Sequence, residues 1–235
     1  MAGNPIDGFQ VDHADIKFIG KDLQRPECIL AKSTGDLWAA DARGGVVKIT
    51  PDGRQDIITQ HFGETFSQAQ NSATQFTEGT LPNGLAFAKN GNIYISNFGT
   101  DVLEVMEPDG NTTVLYDEID GEPIGKVNFV LRDTKERLWL TVSTRIKNWM
   151  EAISPNVSDG FIAMADDKGL RIMTDGLSFT NEIRFDANEE YLYIVETCGQ
   201  RISRMKVAED GTLSQREVFG PTQLGSGEQR PLPLR

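Results

Sequence analysis

Residues 81–110 read LPNGLAFAKNGNIYISNFGTDVLEVMEPDG, and this stretch decides the fold. Leu85, Phe87 and Ala88 form an apolar run and Asn90-Gly91 is a hairpin turn signal; Ile93 and Ile95 then alternate with Tyr94 and Ser96. Val102 to Met106 follows a second Gly-bearing turn, and Pro108-Asp109-Gly110 closes the unit. The unit is therefore three short strands and two turns, too small to bury a face alone.

Three further passages share its order. They are RPECILAKSTGDLWAADARGGVVKITPDG from Arg25, GKVNFVLRDTKERLWLTVST from Gly125, and FTNEIRFDANEEYLYIVETCGQRISRMKVAEDG from Phe179. Each has a polar residue, an apolar strand, a polar turn and a second strand. Glu27, Asn83, Asn128 and Asn181 open the copies and lie 56, 45 and 53 residues apart, near the ~40–50 residue period of propeller blades. Helical periodicity is absent, so the expected class is all-β: a six-bladed β-propeller type, incomplete, with about four to five blades present. Residues 61–80, rich in Gln, Ser and Thr, and 145–159, with Trp149, Met150 and Pro155, read as loops between strands. The second is either a lid over a site or a segment packed on the blade below.

Composition narrows the function. The chain of 235 residues has 23 basic and 35 acidic side chains, a formal charge of −12, with no basic block to follow a phosphate backbone. No nucleic-acid partner is expected. No apolar run reaches the ~18 residues of a membrane helix and no signal peptide opens the chain, so no membrane partner and a cytoplasmic setting are expected. Cys28 and Cys198 form no Cys-x-x-Cys pair, and two histidines, His13 and His61, do not make a zinc site or a convincing Ser-His-Asp triad.

In a propeller the first strand of each blade lines the central channel. Glu27, Asn83, Asn128 and Asn181 would then converge on one mouth as oxygen donors suited to a hard cation. Each also has a plainer reading: Asn83-Gly84 as a turn, Asn128 as a strand-end cap, Glu27 as a solvated carboxylate.

RPEC with GDLWAADARGGVVKI, then KVNFVLRDTKERLWLTVST, then FTNEIRFDANEEYLYIVETCGQRISR, resembles the gluconolactonase, senescence marker protein (regucalcin) and luciferin-regenerating-enzyme superfamily over roughly residues 15–220. The resemblance implies a propeller holding one divalent cation, calcium or else zinc, manganese or magnesium, that opens small lactones or cyclic esters. It implies Glu27 and Asn181 as metal residues and Asn128 with Lys126 as substrate-binding residues. Phe129 and Glu182 depart from the family's acid and glycine, and the family's general-base aspartate has no counterpart, so the catalytic residue is unknown and activity is expected to be impaired. Residues 1–223 are read as the propeller region and 224–235, LGSGEQRPLPLR, as a tail outside the family pattern, as truncation or frameshift would leave. The alternative is a non-catalytic propeller or fragment that binds a ligand or protein, with self-association through open blade edges.

Overall fold

The computed structural model describes residues 8, 10–61 and 79–220; the segments 62–78 and 224–235 named above lie outside them. The described chain folds into four successive four-stranded antiparallel sheets, each in simple sequence order, arranged as blades of an incomplete propeller. Blade 1 is β1 (Ile29–Ala31), β2 (Leu37–Asp41), β3 (Gly45–Ile49) and β4 (Gln55–Thr59); blade 2 is β5 (Pro82–Phe87), β6 (Ile93–Asn97), β7 (Val102–Met106) and β8 (Thr112–Tyr116). A short hairpin of β9 (Glu118–Ile119) and β10 (Glu122–Pro123) leads to blade 3, which is β11 (Val127–Arg132), β12 (Leu138–Val142), β13 (Gly160–Asp166) and β14 (Gly169–Leu177). Blade 4 is β15 (Thr180–Phe185), β16 (Tyr191–Glu196), β17 (Arg201–Lys206) and β18 (Glu217–Phe219). Among the described residues, helix is confined to two 3-10 turns, His13–Asp15 and Trp149–Ala152, and no helix is long and apolar enough to cross a membrane.

The quoted repeat thus contains the three inner strands of a blade, and a fourth follows it. The outer strands are solvent-facing and carry little apolar signal: Gln55–Thr59 and Glu217–Phe219 are mostly exposed. Asp186 to Glu190 form the hairpin turn between β15 and β16, with Asp186 Oδ1 accepting from the Glu190 and Tyr191 amides. Both cysteines are free thiols.

Apolar side chains alternate along the inner strands and fill the spaces between blades. Between blades 1 and 2, Trp38 meets Phe87 edge-on at 6.0 Å, and between blades 3 and 4 Trp139 meets Phe185 at 5.6 Å. Leu103, Ile124, Val130, Leu140 and Phe161 fill the layer between blades 2 and 3. Asn83-Gly84, which as a dipeptide reads as a turn, lies inside β5. Glycine serves close approach there: a Cβ would sit 2.7 Å from Phe129 Cα and 2.8 Å from Val130 N of the next blade.

Candidate functional site

Register places the four repeat-opening residues on one rung. Ile29, Leu85, Val130 and Ile183 pair with Ala39, Ile95, Leu140 and Ile194 on the second strands. Two residues before each stand Glu27, Asn83, Asn128 and Asn181. In every blade the ladder slips at this point. Asn83 is the extra residue between the pairs Pro82↔Asn97 and Gly84↔Ser96, and Asn128 between Val127↔Val142 and Phe129↔Thr141. Asn181 and Glu182 lie between Thr180↔Glu196 and Ile183↔Ile194. In blade 1 the Ala40 amide donates to the Glu27 carbonyl at 3.1 Å while Ile29 pairs with Ala39, leaving Cys28 over at φ +43. A β-bulge re-aims a side chain and frees its backbone from the ladder. Four bulges at one level make the rim of the channel.

Three of the rim residues are linked. Arg25 donates through Nη1 to Asn83 Oδ1 at 2.8 Å and lies 3.7 Å from the Glu27 carboxylate. Asn83 Nδ2 donates across the blade boundary to the Asn128 carbonyl at 2.7 Å and to Asn128 Oδ1 at 3.0 Å; Asn128 Nδ2 donates to Ser143 Oγ at 2.9 Å. Asn181 stands on the far side, its Nδ2 donating to Thr197 Oγ1 at 3.2 Å. Burial pulls the Arg25 guanidinium below its ordinary value, and Glu27 acts the other way. Arg25 stands two residues before Glu27, the place that Lys126 holds before Asn128.

Lys126 is completely buried. Its ammonium lies 2.8 Å from Asp101 Oδ1, donates to the Phe98 carbonyl at 3.2 Å and sits 5.5 Å from the Phe98 ring centre. These contacts brace blade 2 against the start of blade 3. Cys28 donates its thiol weakly to the Leu85 carbonyl, and burial pushes its pKa up, which suits a packing residue better than a nucleophile. The loop at 145–159 lies across the mouth-side ends of the blades: Trp149 meets Phe98 of the β6–β7 loop at 5.8 Å and Phe179 before β15 at 6.0 Å. Ala42, Ala152 and Cys198 join the same apolar cluster.

The donor set can be tested against a divalent cation. A calcium ion takes six to eight oxygens, several of them carboxylate. The four rim positions supply one carboxylate, Glu27, which already faces Arg25, and Asn83 Oδ1 is engaged by the same guanidinium. Among the described residues, no three His, Cys, Asp or Glu side chains come together as a metal group. The rim as it stands does not fit a hard divalent ion.

Buried polar clusters hold the same end of the blades. Asp41 receives both ends of Arg43 at 2.7 Å, and Glu196 receives both ends of Arg201 at 2.8 Å together with the Ser178 amide. Burial raises both carboxyls, but their arginine partners outweigh it and hold them below the usual range. At the equivalent place in blade 2 stands Asn97, and the acid has moved to Glu104 on β7. Glu104 accepts only from neutral groups, Gln60 Nε2 at 2.7 Å and Asn97 Nδ2 at 3.0 Å, while Thr80 Oγ1 donates to Gln60 Oε1 at 2.7 Å.

A polar rim where the inner strands of an all-β, radially repeated fold begin is that of a propeller. The chain belongs to the SMP-30/gluconolactonase/LRE-like family, whose profile matches residues 28–231 and so extends into the segment set apart above as a tail. No curated protein matches the sequence. Among solved structures, a gluconolactonase from Xanthomonas campestris superposes with a TM-score of 0.64 at 18% identity, covering 84% of this chain and 63% of that one. A calcium-binding protein, regucalcin, from Agrobacterium tumefaciens gives 0.60 at 16%, covering 84% and 59%. A chain of a nidogen–laminin complex gives 0.60 at 18%, covering 85% and 66%. The chain thus spans less than two thirds of the length of each.

Glu104 has a consequence for stability. Burial raises its pKa from 4.5 to about 7, with the amide and hydroxyl bonds opposing. A raised carboxyl favours the protonated folded state, so its contribution is full below about pH 4.5 and is lost as pH rises through about 7, a swing of about 3 kcal/mol. In denaturant unfolding, the wild type is expected to lose stability relative to Glu104→Gln between about pH 5 and pH 8. A constant difference between the two proteins across that range would mean that the carboxyl is not desolvated.

Proposed function

We propose that this chain is the substrate-binding part of a lactonase-type propeller that acts on small lactones or cyclic esters. The supporting observation is the single rung of bulges that sets Glu27, Asn83, Asn128 and Asn181 around one mouth, in a chain of this family. Lactone hydrolysis adds water to the ring carbonyl, develops charge on its oxygen, then breaks the ring C–O bond to give a hydroxy acid. Arg25 and the amide side chains are the donors available to that oxygen, and donors fixed in place stabilise such charge without reorganising. Glu27, about half exposed, is the acceptor available for the proton of the attacking water. A divalent cation, calcium first, then zinc, manganese or magnesium, would polarise the carbonyl in the family's reaction; with one carboxylate on the rim, this chain's affinity for it is expected to be low. Its turnover is correspondingly expected to be weak.

The measurement is hydrolysis of a lactone panel by this chain, with and without Ca²⁺, Mn²⁺ or Zn²⁺. Weak turnover that falls a further tenfold or so in Glu27→Gln and in Asn128→Ala is the expected result, the size of a lost donor or proton acceptor. Robust turnover untouched by either substitution contradicts the assignment.

A second reading, a binding propeller that self-associates, rests on the end blades. Ile29 is 62% exposed where its register equivalents Leu85 and Val130 are buried, and Ile57, Val195, Val218 and Phe219 are also uncovered. Such sheet faces favour a second copy of the chain. Sedimentation is expected to show concentration-dependent association that Ile29→Lys and Val195→Lys reduce; a monomer at all concentrations removes this reading.

A further inference from the structure

Beside the rim, one side chain of blade 4 reaches over blade 3. Arg184 follows Ile183 on β15 and occupies the register position held by Leu30, Ala86 and Leu131 in the other blades. Its guanidinium lies over the ring of Phe129 of blade 3, with Cζ 4.4 Å from the centroid. The cation therefore joins blade 4 to blade 3. Nη1 donates to the Ile183 carbonyl at 3.2 Å, and Nη2 faces the Glu182 carboxylate at 3.5 Å.

That last contact differs in kind from the arginine pairs that hold the blades. Arg43–Asp41, Arg137–Asp133 and Arg201–Glu196 are 2.6–2.8 Å long, and each carboxylate side chain is no more than 1% exposed. Arg184–Glu182 and Arg25–Glu27 are 3.5 and 3.7 Å long, and in each the carboxylate is almost half exposed. Pairs of this second kind contribute little and exchange readily for another anion. A guanidinium stacked on an aromatic face still presents a planar edge of N–H donors, the fork that matches a carboxylate in a bidentate way. The rim carries neutral amides and the Glu27 carboxylate, with Arg25 the other cation.

We propose that the channel binds a small organic carboxylate on Arg184, with Glu182 as the internal anion that the ligand displaces. The departure from the family pattern at Glu182 then has a role: it occupies the guanidinium edge when no ligand is present. The carboxylate is either the ring-opened product of a lactone or an acidic substituent on an unopened one. This site does not depend on turnover, so it stands or falls separately from the lactonase reading.

The test is calorimetric or NMR titration of the full chain with three probes. Gluconate represents the opened product, 5-oxotetrahydrofuran-2-carboxylate an acidic lactone, and γ-butyrolactone the neutral control. At least one carboxylate is expected to bind in the millimolar range, and which one binds identifies the source. Arg184→Gln is expected to weaken binding about tenfold and Arg184→Lys to recover part of it, since lysine keeps the charge without the fork. Glu182→Gln is expected to tighten binding about threefold by removing the competitor. Because this last change is a gain, it does not depend on whether the arginine variants fold. Carboxylate binding unchanged in folded Arg184→Gln, neutral lactone binding weakened by Arg184→Gln as much as that of the acids, or no tightening in Glu182→Gln would each overturn the proposal.

Discussion

The fold depends on how blades share the crowded ground around the channel. Inner strands converge there, and a regular ladder would leave no side chain aimed at the axis. The bulges at Cys28, Asn83, Asn128 and Asn181-Glu182 solve the aiming but take backbone groups off the ladder, which is costly when they are buried. For the bulges of blades 3 and 4 the preceding blade supplies partners. Ser96 Oγ donates to the Asn128 carbonyl at 2.8 Å, Thr141 Oγ1 to that of Asn181 at 2.6 Å and Ser143 Oγ to that of Thr180 at 2.7 Å. Each bond contributes about 1 kcal/mol net, but leaving its carbonyl dry would cost more. Site geometry and blade docking are therefore one interaction.

The end blades show the same rule by contrast. Ser96 and Thr141 share a register position with Ala40 in blade 1 and Val195 in blade 4. Ala40 is buried against blade 2, whereas Val195 is 37% exposed. The hydroxyl occurs on the two middle blades, each of which faces a bulged asparagine on the next. Charge differs in the same way between two sets of pairs: Arg43–Asp41, Arg137–Asp133 and Arg201–Glu196 are short with buried carboxylates, whereas Arg25–Glu27 and Arg184–Glu182, beside the bulges, are longer and more exposed.

Much of this was legible from the sequence because it is periodic. The repeat order puts Glu27, Asn83, Asn128 and Asn181 at equivalent positions, and the strand register agrees. The outer strands were hidden because their exposed faces lack alternation. The bulges were hidden because a single extra residue leaves no compositional trace; Asn83-Gly84 even imitates a turn. The family resemblance implies Lys126 as a substrate-binding residue, and nothing local to it in the sequence reveals its contact with Asp101, 25 positions earlier. Arg184 looks like one more polar residue of a strand until Phe129 is brought beneath it.

The coupling between Asn83 and Asn128 tests most directly whether docking and rim geometry are one interaction. A double-mutant cycle with Asn83→Ala and Asn128→Ala, read by denaturant unfolding, isolates it. The side chains bond directly across the blade boundary at 3.0 Å, so an interaction energy of about 1–2 kcal/mol is predicted. Additivity within about 0.5 kcal/mol would show that the rim amides are bystanders to blade docking, and would contradict this view of the structure.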